Sequence, residues 1–573
     1  MLKVQVAAQL EEIADLLEIQ SENPFQPRAF RNAARALEGL AEDLEDVLAE
    51  GRLRGIPAIG DSIANEISEL VTTGGSKRLR ELRASVPPGI LEMLRVPGLG
   101  PKKARALQKE LRIESLEALK KACESGAVAQ VKGFGEKTQQ KILDGIEYLS
   151  SVAGRFRVDQ ALPRALALLD HLRQCPGVTR AELAGSLRRG KETVKDIDLV
   201  AASADPVAVM DHFLRSPDVA GVVAKGETKT SVRLSNGLAA DLRVVSRIEF
   251  PAALQYFTGS KEHNTQLRGI AKELGLKLNE YALFRGEVAL PLRDEASIYE
   301  ILGLGFIEPE LREGLDEIRL GAEGRLPTLL ERSDIVGMIH VHTDWSDGAA
   351  TLEEMVEAAR ERGYRYIGIT DHSQSASYAG GLTPERVRKQ HAEIDRLNSK
   401  LAGFRIFKGI ESDILADGSL DYEDDMLDLF DFVVASVHSS FKMPQEAMTA
   451  RVIRALQDPR TTILGHPTGR LLLSRDAYAI DMGQVLKAAG ELGVAVEINA
   501  SPYHLDLDWR LGPRAMELGV KTSINPDAHS TDGMDDVIHG VKIARKAGFS
   551  REDVVNTLGI EAFAKWIARR KSG

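Results

Sequence analysis

One recurring pattern constrains the C-terminal part of this chain. From Met338 onward, over about 235 residues, short apolar segments alternate with helical stretches. The segments are MIHVHT, YIGITDH, FRIFKGIESD, FVVASVHS, TILGHP, VAVEINA and KTSINPDAH, and six of the seven carry histidine, aspartate or glutamate at their ends. Strands alternating with helices build a parallel sheet, and this many units predict a closed or nearly closed βα barrel. In such a barrel the C-terminal strand ends converge on one mouth. His340 and His342 stand two apart on a strand, a spacing that points both side chains the same way, and Asp527 and His529 share it. Together with Asp347, His372, Glu411, His438 and His466 they give six histidines, two aspartates and one glutamate. That set can hold up to three cations through nitrogen and oxygen ligands, which suits Zn2+ or Mn2+. A lone histidine is usually a satisfied core residue, but six of the chain's twelve at strand ends are not.

The rest of the composition narrows the choice. At 573 residues the chain is too long for one core, so several domains are expected. Cys123 and Cys175 are the only cysteines, too few for a disulfide framework or a thiolate metal cluster. No run of 18 apolar residues occurs, so no membrane partner is expected. The start, MLKVQVAAQLEEIADLLEIQ, carries Glu11, Glu12 and Asp15 where a signal peptide needs an apolar stretch; it reads as an amphipathic helix of a cytoplasmic protein. The net charge of −11 is unevenly spread: Gly51 to Val200 holds 26 Lys+Arg against 18 Asp+Glu. A local basic surplus is what phosphate contacts require.

Three short segments repeat in the N-terminal third: Ile56-Pro57-Ala58-Ile59-Gly60, Val96-Pro97-Gly98-Leu99-Gly100 and Val131-Lys132-Gly133-Phe134-Gly135. Each precedes a helical stretch. Alternate glycines permit positive φ and expose consecutive N–H groups, and the next helix adds the positive end of its dipole. This is the helix-hairpin-helix signature, which grips a DNA backbone without reading bases. Gly98, Gly100 and Lys102 in the second copy, and Gly133, Gly135 and Lys137 in the third, are the expected DNA-binding residues.

Between about Gly154 and Leu320 the pattern becomes mixed strands and helices. GSLRRG, Gly185 to Gly190, precedes Asp196-x-Asp198 at the start of an apolar strand, so both carboxylates project from one face. Asp241 lies in a second strand that can pair alongside. Three carboxylates so placed can hold two divalent cations about 3.5–4 Å apart, the arrangement for in-line displacement at phosphorus.

This region resembles the nucleotidyltransferase palm of family X DNA polymerases, DNA polymerase beta among them, and the likeness extends from about Met1 to Leu320. KGETKTSV at Lys225–Val232, DLRVV at Asp241–Val245, YFTGS at Tyr256–Ser260 and NEY at Asn279–Tyr281 follow the family order. The resemblance implies that Asp196 and Asp198 bind two Mg2+ or Mn2+ ions and that Asp241 binds the catalytic one. It implies that Gly185, Ser186 and Arg189 grip a triphosphate, that Tyr256 and Phe257 pack under the incoming sugar, and that the turn at Gly259 helps exclude a ribose 2′-hydroxyl. Asn264 resembles the residue that meets the base from the minor groove, and Arg268 the one that probes the templating pair. One departure stands out. Family members that excise a 5′-deoxyribose phosphate use a lysine Schiff base after the first hairpin. Here Glu66 takes that place, Ser62 replaces a phosphate-gripping lysine, and Ala58 replaces the first hairpin glycine. The lyase chemistry is therefore expected to be absent or moved.

The C-terminal motif order resembles the polymerase and histidinol phosphatase (PHP) family, with all nine ligand positions filled, over about Met338 to Phe563. It implies a trinuclear site that activates water against a phosphoester, and in bacterial family X polymerases a manganese-stimulated 3′–5′ exonuclease. Arg470 and Lys442 could help bind phosphate, although plain surface charge is the simpler reading of each. The expected architecture is multidomain. A helical lyase-like domain with the first hairpin covers 1–82, helix-hairpin-helix fingers 83–153, an α+β palm 154–250 and a thumb 251–320. A linker covers 321–336 and a distorted (β/α) barrel 337–573. The expected function is template-directed filling of short DNA gaps in base excision repair, with 3′–5′ exonuclease activity. Its partners would be gapped or primer-template DNA and dNTPs, and the chain would act as a cytoplasmic, nucleoid-associated monomer. The rivals are a barrel acting on a small phosphate ester, a structural metal module, and a palm that adds nucleotides without a template.

Overall fold

The computed structural model describes residues 3–20, 25–38, 44–49, 51–56, 58–73, 75–94, 96 and 99–571. Its packing divides into two units, Met1–Ala153 with the short stretch Asp347–Ala350, and Gly154–Ser346 with Thr351–Gly573. Among the described residues no helix is long and apolar enough to cross a membrane.

The first unit is helical. Helix α1 (Lys3–Gln20) buries Val6, Leu10, Ile13 and Leu17 on one face and Leu16 and Ile19 on others, so it is enclosed more widely than the amphipathic helix expected there. Helices α2 (Asp61–Thr73), α3 (Pro101–Leu111) and α4 (Gly135–Val152) each follow one of the three glycine-containing turns. The turn before α4 has the expected geometry: Gly133 and Gly135 have φ of 93° and 67°, and Phe134 N–H donates to the Val131 carbonyl at 3.0 Å. The other two differ. Gly100 caps α3 with φ −75°, so it needs no left-handed backbone. In the first turn Ala58 takes φ 70°, the position glycine would favour. Gly98 lies outside the described residues, as does Pro57.

The second unit holds two sheets that carry chemistry. Helix α5 (Gly185–Arg188) sits against a five-stranded sheet made by β1 (Arg180–Leu183), β2 (Asp196–Ala202), β3 (Val219–Lys225), β4 (Lys229–Leu234) and β5 (Ala239–Val245). The strand order is β1-β2-β5-β4-β3, with β2 and β5 parallel and the other pairs antiparallel. The register of β2 on β5 sets Asp198 directly opposite Asp241. Helices α6 (Phe250–Thr258) and α7 (Lys261–Glu273) follow the sheet and face its carboxylate end.

Seven parallel strands form the second sheet in strict chain order: β6 (Gly337–Val341), β7 (Tyr366–Ile369), β8 (Arg405–Asp413), β9 (Phe432–Ser436), β10 (Thr461–Leu464), β11 (Ala495–Asn499) and β12 (Thr522–Asn525). The first and last approach just beyond their ends, where His342 N–H donates to the Ala528 carbonyl at 2.9 Å, so the barrel is nearly closed. Helix α8 (Val537–Ala547) packs beside β11 and β12, and α9 (Ile560–Lys571) plugs the end away from the ligand set. There the Phe563 ring stacks on Tyr366 at 4.7 Å and meets Phe407 at 5.0 Å. Phe432 fills the barrel interior because its neighbours are glycines. A Cβ on Gly409 would lie 2.5 Å from Phe432 Cζ and 2.7 Å from the Ile369 carbonyl oxygen. Backbone cannot yield as a side chain does, so Gly409→Ala is expected to destabilise the barrel by about 1–3 kcal/mol, the usual range for overpacking. A lowered midpoint of denaturant unfolding checks this; an unchanged midpoint contradicts the packing described.

Candidate active sites

The palm site is built by two parallel strands and one helix end. Asp196 and Asp198 project from the start of β2, and Asp241 from β5. Gly185 opens α5 with φ 60°, and a Cβ there would fall 1.9 Å from Asp198 Oδ2, so only glycine brings this helix end so close to the carboxylate. Burial, then the charges of Asp196 and Asp241, push the Asp198 carboxyl up to about 7; burial and Asp241 also raise Asp196. Crowded carboxylates of this kind are stabilised by cations. Lys229, in β4, supplies one positive charge, its Nζ 2.5 Å from Asp241 Oδ2.

A cavity of about 340 Å³ opens beside these strands. Gly185, Ser186, Arg189, Asp196, Asp198, Tyr256, Phe257, Gly259, Asn264 and Arg268 all line it, so the expected nucleotide contacts do share one space. Asp241 is not among its lining residues. Ser260 and Lys261, which motif reading passed over, are. Tyr256 and Phe257 meet edge to face at 5.2 Å. The Arg189 guanidinium donates to the Thr258 carbonyl and to Glu313 Oε1 at 3.1 Å. The Asn264 carboxamide accepts from Gln255 Nε2 at 2.8 Å and donates to the Tyr256 carbonyl at 2.7 Å, leaving one N–H and one lone pair for a ligand.

The barrel site centres on Glu411, at the end of β8 and 1% exposed. Its carboxylate lies 3.3 Å from His340 Nε2, 3.6 Å from His342 Nε2, 3.0 Å from His372 Nδ1, 3.3 Å from His438 Nε2 and 3.0 Å from His466 Nε2. Asp527 Oδ1 stands 3.1 Å from His342 Nε2 and 3.5 Å from His340 Nε2, and the His529 ring stacks on His342 at 4.1 Å. Although burial opposes it, the imidazoles of His438, His340 and His372 hold the Glu411 carboxyl well below the usual range. Three groups offer ligand atoms that all lie within 4.8 Å: His342, Asp347, His372 and His529; His340, His342 and Asp527; and His372, Glu411 and His438. His466 belongs to none of these, but its Nε2 reaches Glu411.

His340 and His342 do converge, although not by simple strand alternation. His340 has φ 59° and the β6–β7 register shifts between Met338 and Val341; Asp527 and His466 also have positive φ, 54° and 20°. Left-handed non-glycine residues cluster where function over-determines the backbone. The residues that motif reading missed are those that orient the ligands. Glu497, buried on β11, takes His340 Nδ1 at 2.5 Å and the His466 N–H at 2.7 Å. Asp413 takes His438 Nδ1 at 2.5 Å. Turning one ring nitrogen to a carboxylate leaves the other for a metal. Consistent with this, His340 Nε2 is buried with no hydrogen-bond partner among the described residues and faces the Glu411 and Asp527 oxygens. The donor set therefore fits divalent cations. Arg470 is not plain surface charge: its side chain is mostly buried, bound to the His504 carbonyl at 3.1 Å and to Asp508 at 2.7 Å. Lys442 is exposed.

Comparison with known proteins matches residues 1–76 to the helix-hairpin-helix domain and 90–147 to a SAM-like helix-hairpin-helix tandem. Residues 253–313 match the DNA polymerase beta thumb, and 339–501 the PHP domain. The DNA polymerase/3′-5′ exonuclease PolX of Bacillus subtilis (strain 168) is 40% identical over 571 residues, 98% of this chain and 99% of the relative. A probable phosphatase of Thermoanaerobacter sp. (strain X514) is 30% identical over 229 residues, 38% of this chain and 89% of that protein.

Because Glu497 fixes two ligand-bearing elements at once, Glu497→Ala is expected to weaken Mn2+ binding at the barrel site by about 10–100-fold, the usual effect of losing a ligand-orienting partner. Titration calorimetry checks this. Unchanged affinity would mean that Glu497 serves packing alone.

Proposed function

Because this chain belongs to the bacterial family of PolX DNA polymerase/3′-5′ exonucleases, we infer that it joins two phosphoester chemistries in one polypeptide: nucleotide addition at a primer end and metal-dependent hydrolysis from a 3′ end. The observation that supports this best is the presence of two ligand sets with no residue in common, one of carboxylates beside a nucleotide-sized cavity and one rich in histidine at a barrel mouth.

In the palm, two Mg2+ or Mn2+ ions held by Asp196, Asp198 and Asp241 would supply the charge that acidifies a primer 3′-hydroxyl and neutralises the triphosphate. Asp241 accepts the hydroxyl proton. The N–H groups opening α5 at Gly185 and Ser186, with the Arg189 guanidinium, hold the triphosphate oxygens. Tyr256 and Phe257 support the sugar, the Gly259 turn crowds its 2′ position, and Asn264 and Arg268 meet the nascent pair. The backbone turns at Gly100, Gly133 and Gly135, with Lys102 and Lys137, grip the duplex; Gly98, given the same role by its motif, lies outside the described residues. A Cβ at Gly100, Gly133 or Gly135 would meet nothing within 4 Å, so these turns leave room for a phosphate. Gapped DNA and dNTPs are the substrates of a monomer working in the cytoplasm on the nucleoid. The domain limits are 1–82, 83–153, 154–250, 251–320 and 337–573, with a linker at 321–336.

In the barrel, up to three Zn2+ or Mn2+ ions held by His340, His342, Asp347, His372, Glu411, His438, His466, Asp527 and His529 would activate water. Glu497 and Asp413 keep the His340 and His438 rings turned toward that site. A small phosphate ester is the competing substrate, since stand-alone probable phosphatases share this half. Joining the domain to a polymerase favours DNA, because the primer end is held nearby at high effective concentration.

A gap-filling assay run beside degradation of 5′-labelled single strands, with Mn2+, separates the two chemistries. Asp196→Ala with Asp198→Ala is expected to lower nucleotide addition by roughly three decades or more and leave degradation intact. His342→Ala or Asp527→Asn is expected to do the reverse. Gap filling by the double aspartate variant would remove the palm assignment. Degradation that survives both barrel variants would place the nuclease elsewhere, and wild-type release of phosphate from small esters with no DNA degradation would favour the phosphatase reading.

No imine is expected between the helix after Gly60 and a 5′-deoxyribose phosphate end, since a carboxylate cannot form one. Glu66 is buried and its Oε1 has no hydrogen-bond partner among the described residues. Borohydride trapping is therefore expected to fail for the wild type and for Glu66→Lys alike. Strong wild-type trapping mapped to a lysine in this first helical segment would overturn the reading.

A further inference from the structure

The wall of the palm cavity is held from behind by a helix of the barrel half. Lys546, in α8, is 3% exposed. Its ammonium donates to the Arg189 carbonyl at 3.0 Å, to the Glu310 carbonyl at 3.2 Å and to the Glu313 carboxylate. The same Glu313 carboxylate accepts Arg189 Nε at 3.1 Å and pairs with Lys191 at 2.8 Å. The Trp509 ring lies against this group, with Lys546 Nζ 4.5 Å and Lys191 Nζ 4.7 Å from its centroid. On the same helix Lys542, one turn earlier, and Arg545, the preceding residue, hold Glu310 at 2.7 and 2.8 Å. A buried ammonium is unfavourable unless every proton finds an acceptor, and this one finds three, none of them a member of the barrel ligand set.

We propose that Lys546 is a positioning residue for nucleotide addition: by fixing the Arg189 main chain and the Glu313 carboxylate together, it sets the angle at which the Arg189 guanidinium meets the incoming triphosphate. The inference rests on the polymerase reading of the palm. Arg189 is a long side chain in the wall of an open cavity, and a guanidinium left to sample many rotamers binds phosphate less tightly than one already aimed. Glu313 anchors its Nε, the Thr258 carbonyl anchors one terminal nitrogen, and Lys546 keeps Glu313 and the loop in register. The nucleotide grip of one activity thereby depends on a residue in the half of the chain that carries the other.

The test is a double-mutant cycle read by calorimetric dNTP affinity with Ca2+, which needs no turnover, and by steady-state gap filling. Lys546→Met is expected to weaken dNTP affinity and raise the dNTP KM about tenfold, the scale of a hydrogen bond to a charged group, with kcat nearly unchanged and single-strand degradation at the wild-type rate. In an Arg189→Ala background the same substitution is expected to have no further effect. Glu313→Gln, which keeps the lysine, is carried through the same cycle and is expected to show the same dependence on Arg189; it decides the matter if Lys546→Met does not fold. An unchanged dNTP affinity, or an equal loss with and without Arg189, would overturn the relay, as would a parallel fall in degradation. A wild type that binds dNTP but adds none would count against the polymerase reading instead, and the affinity ratios would still judge the relay.

Discussion

A single buried carboxylate, Glu411, sets the geometry of the C-terminal half. Five imidazoles arriving from four other strand ends lie within 3.6 Å of its two oxygens. That is possible only if the strands end at the same depth and the sheet curls until its first and last members meet. Parallel register from β6 to β12 and the contact between His342 and Ala528 provide this. Where regular backbone would miss, the chain bends: His340, His466 and Asp527 all take positive φ. Such conformations persist because the surrounding bonds, Glu497 on His340 and His466 among them, over-determine them.

The palm solves a related problem with less distortion. Parallel pairing of β2 with β5 sets Asp198 opposite Asp241 without strain, and the close approach of α5 needs one glycine. What holds the cavity is a set of buried ion pairs behind it. Arg188 and Arg312 share Glu295, and although burial raises that carboxyl, the two guanidinium groups bring it down to about 2. The neighbouring Arg189, Glu313 and Lys546 tie the same loop to the barrel half. Removing one member of such a buried pair leaves the other charge uncompensated, at a cost of about 3–5 kcal/mol, so the wall is held only while all of its members are present.

Much of this was legible in the residues. Strand ends bearing His, Asp and Glu foretold the barrel mouth, because period-two alternation and parallel topology leave those ends nowhere else to go. The Asp196, Asp198 and Asp241 strands were legible for the same reason. The misses have physical causes too. His340 reads as plain strand, since a left-handed turn at a histidine leaves no local mark. Glu497 carried a signal that went unused: a lone carboxylate within the apolar run VAVEINA is too costly to bury without partners. Arg470 looked like surface charge because its acceptors, the His504 carbonyl and Asp508, lie in a loop more than thirty residues away. In the repeated turns Ala58 keeps the positive φ of the first glycine position, whereas Gly100, at the second, has φ −75°, a difference that position in a motif does not reveal.

If one chain holds two independent metal centres, crystals soaked in Mn2+ with a gapped duplex and a non-hydrolysable dNTP will show anomalous scattering peaks at both places. Two would lie about 3.5–4 Å apart among Asp196, Asp198 and Asp241. Up to three would sit around Glu411, within bonding distance of the nine barrel ligands. No anomalous density between the palm carboxylates, or none around Glu411, would contradict it.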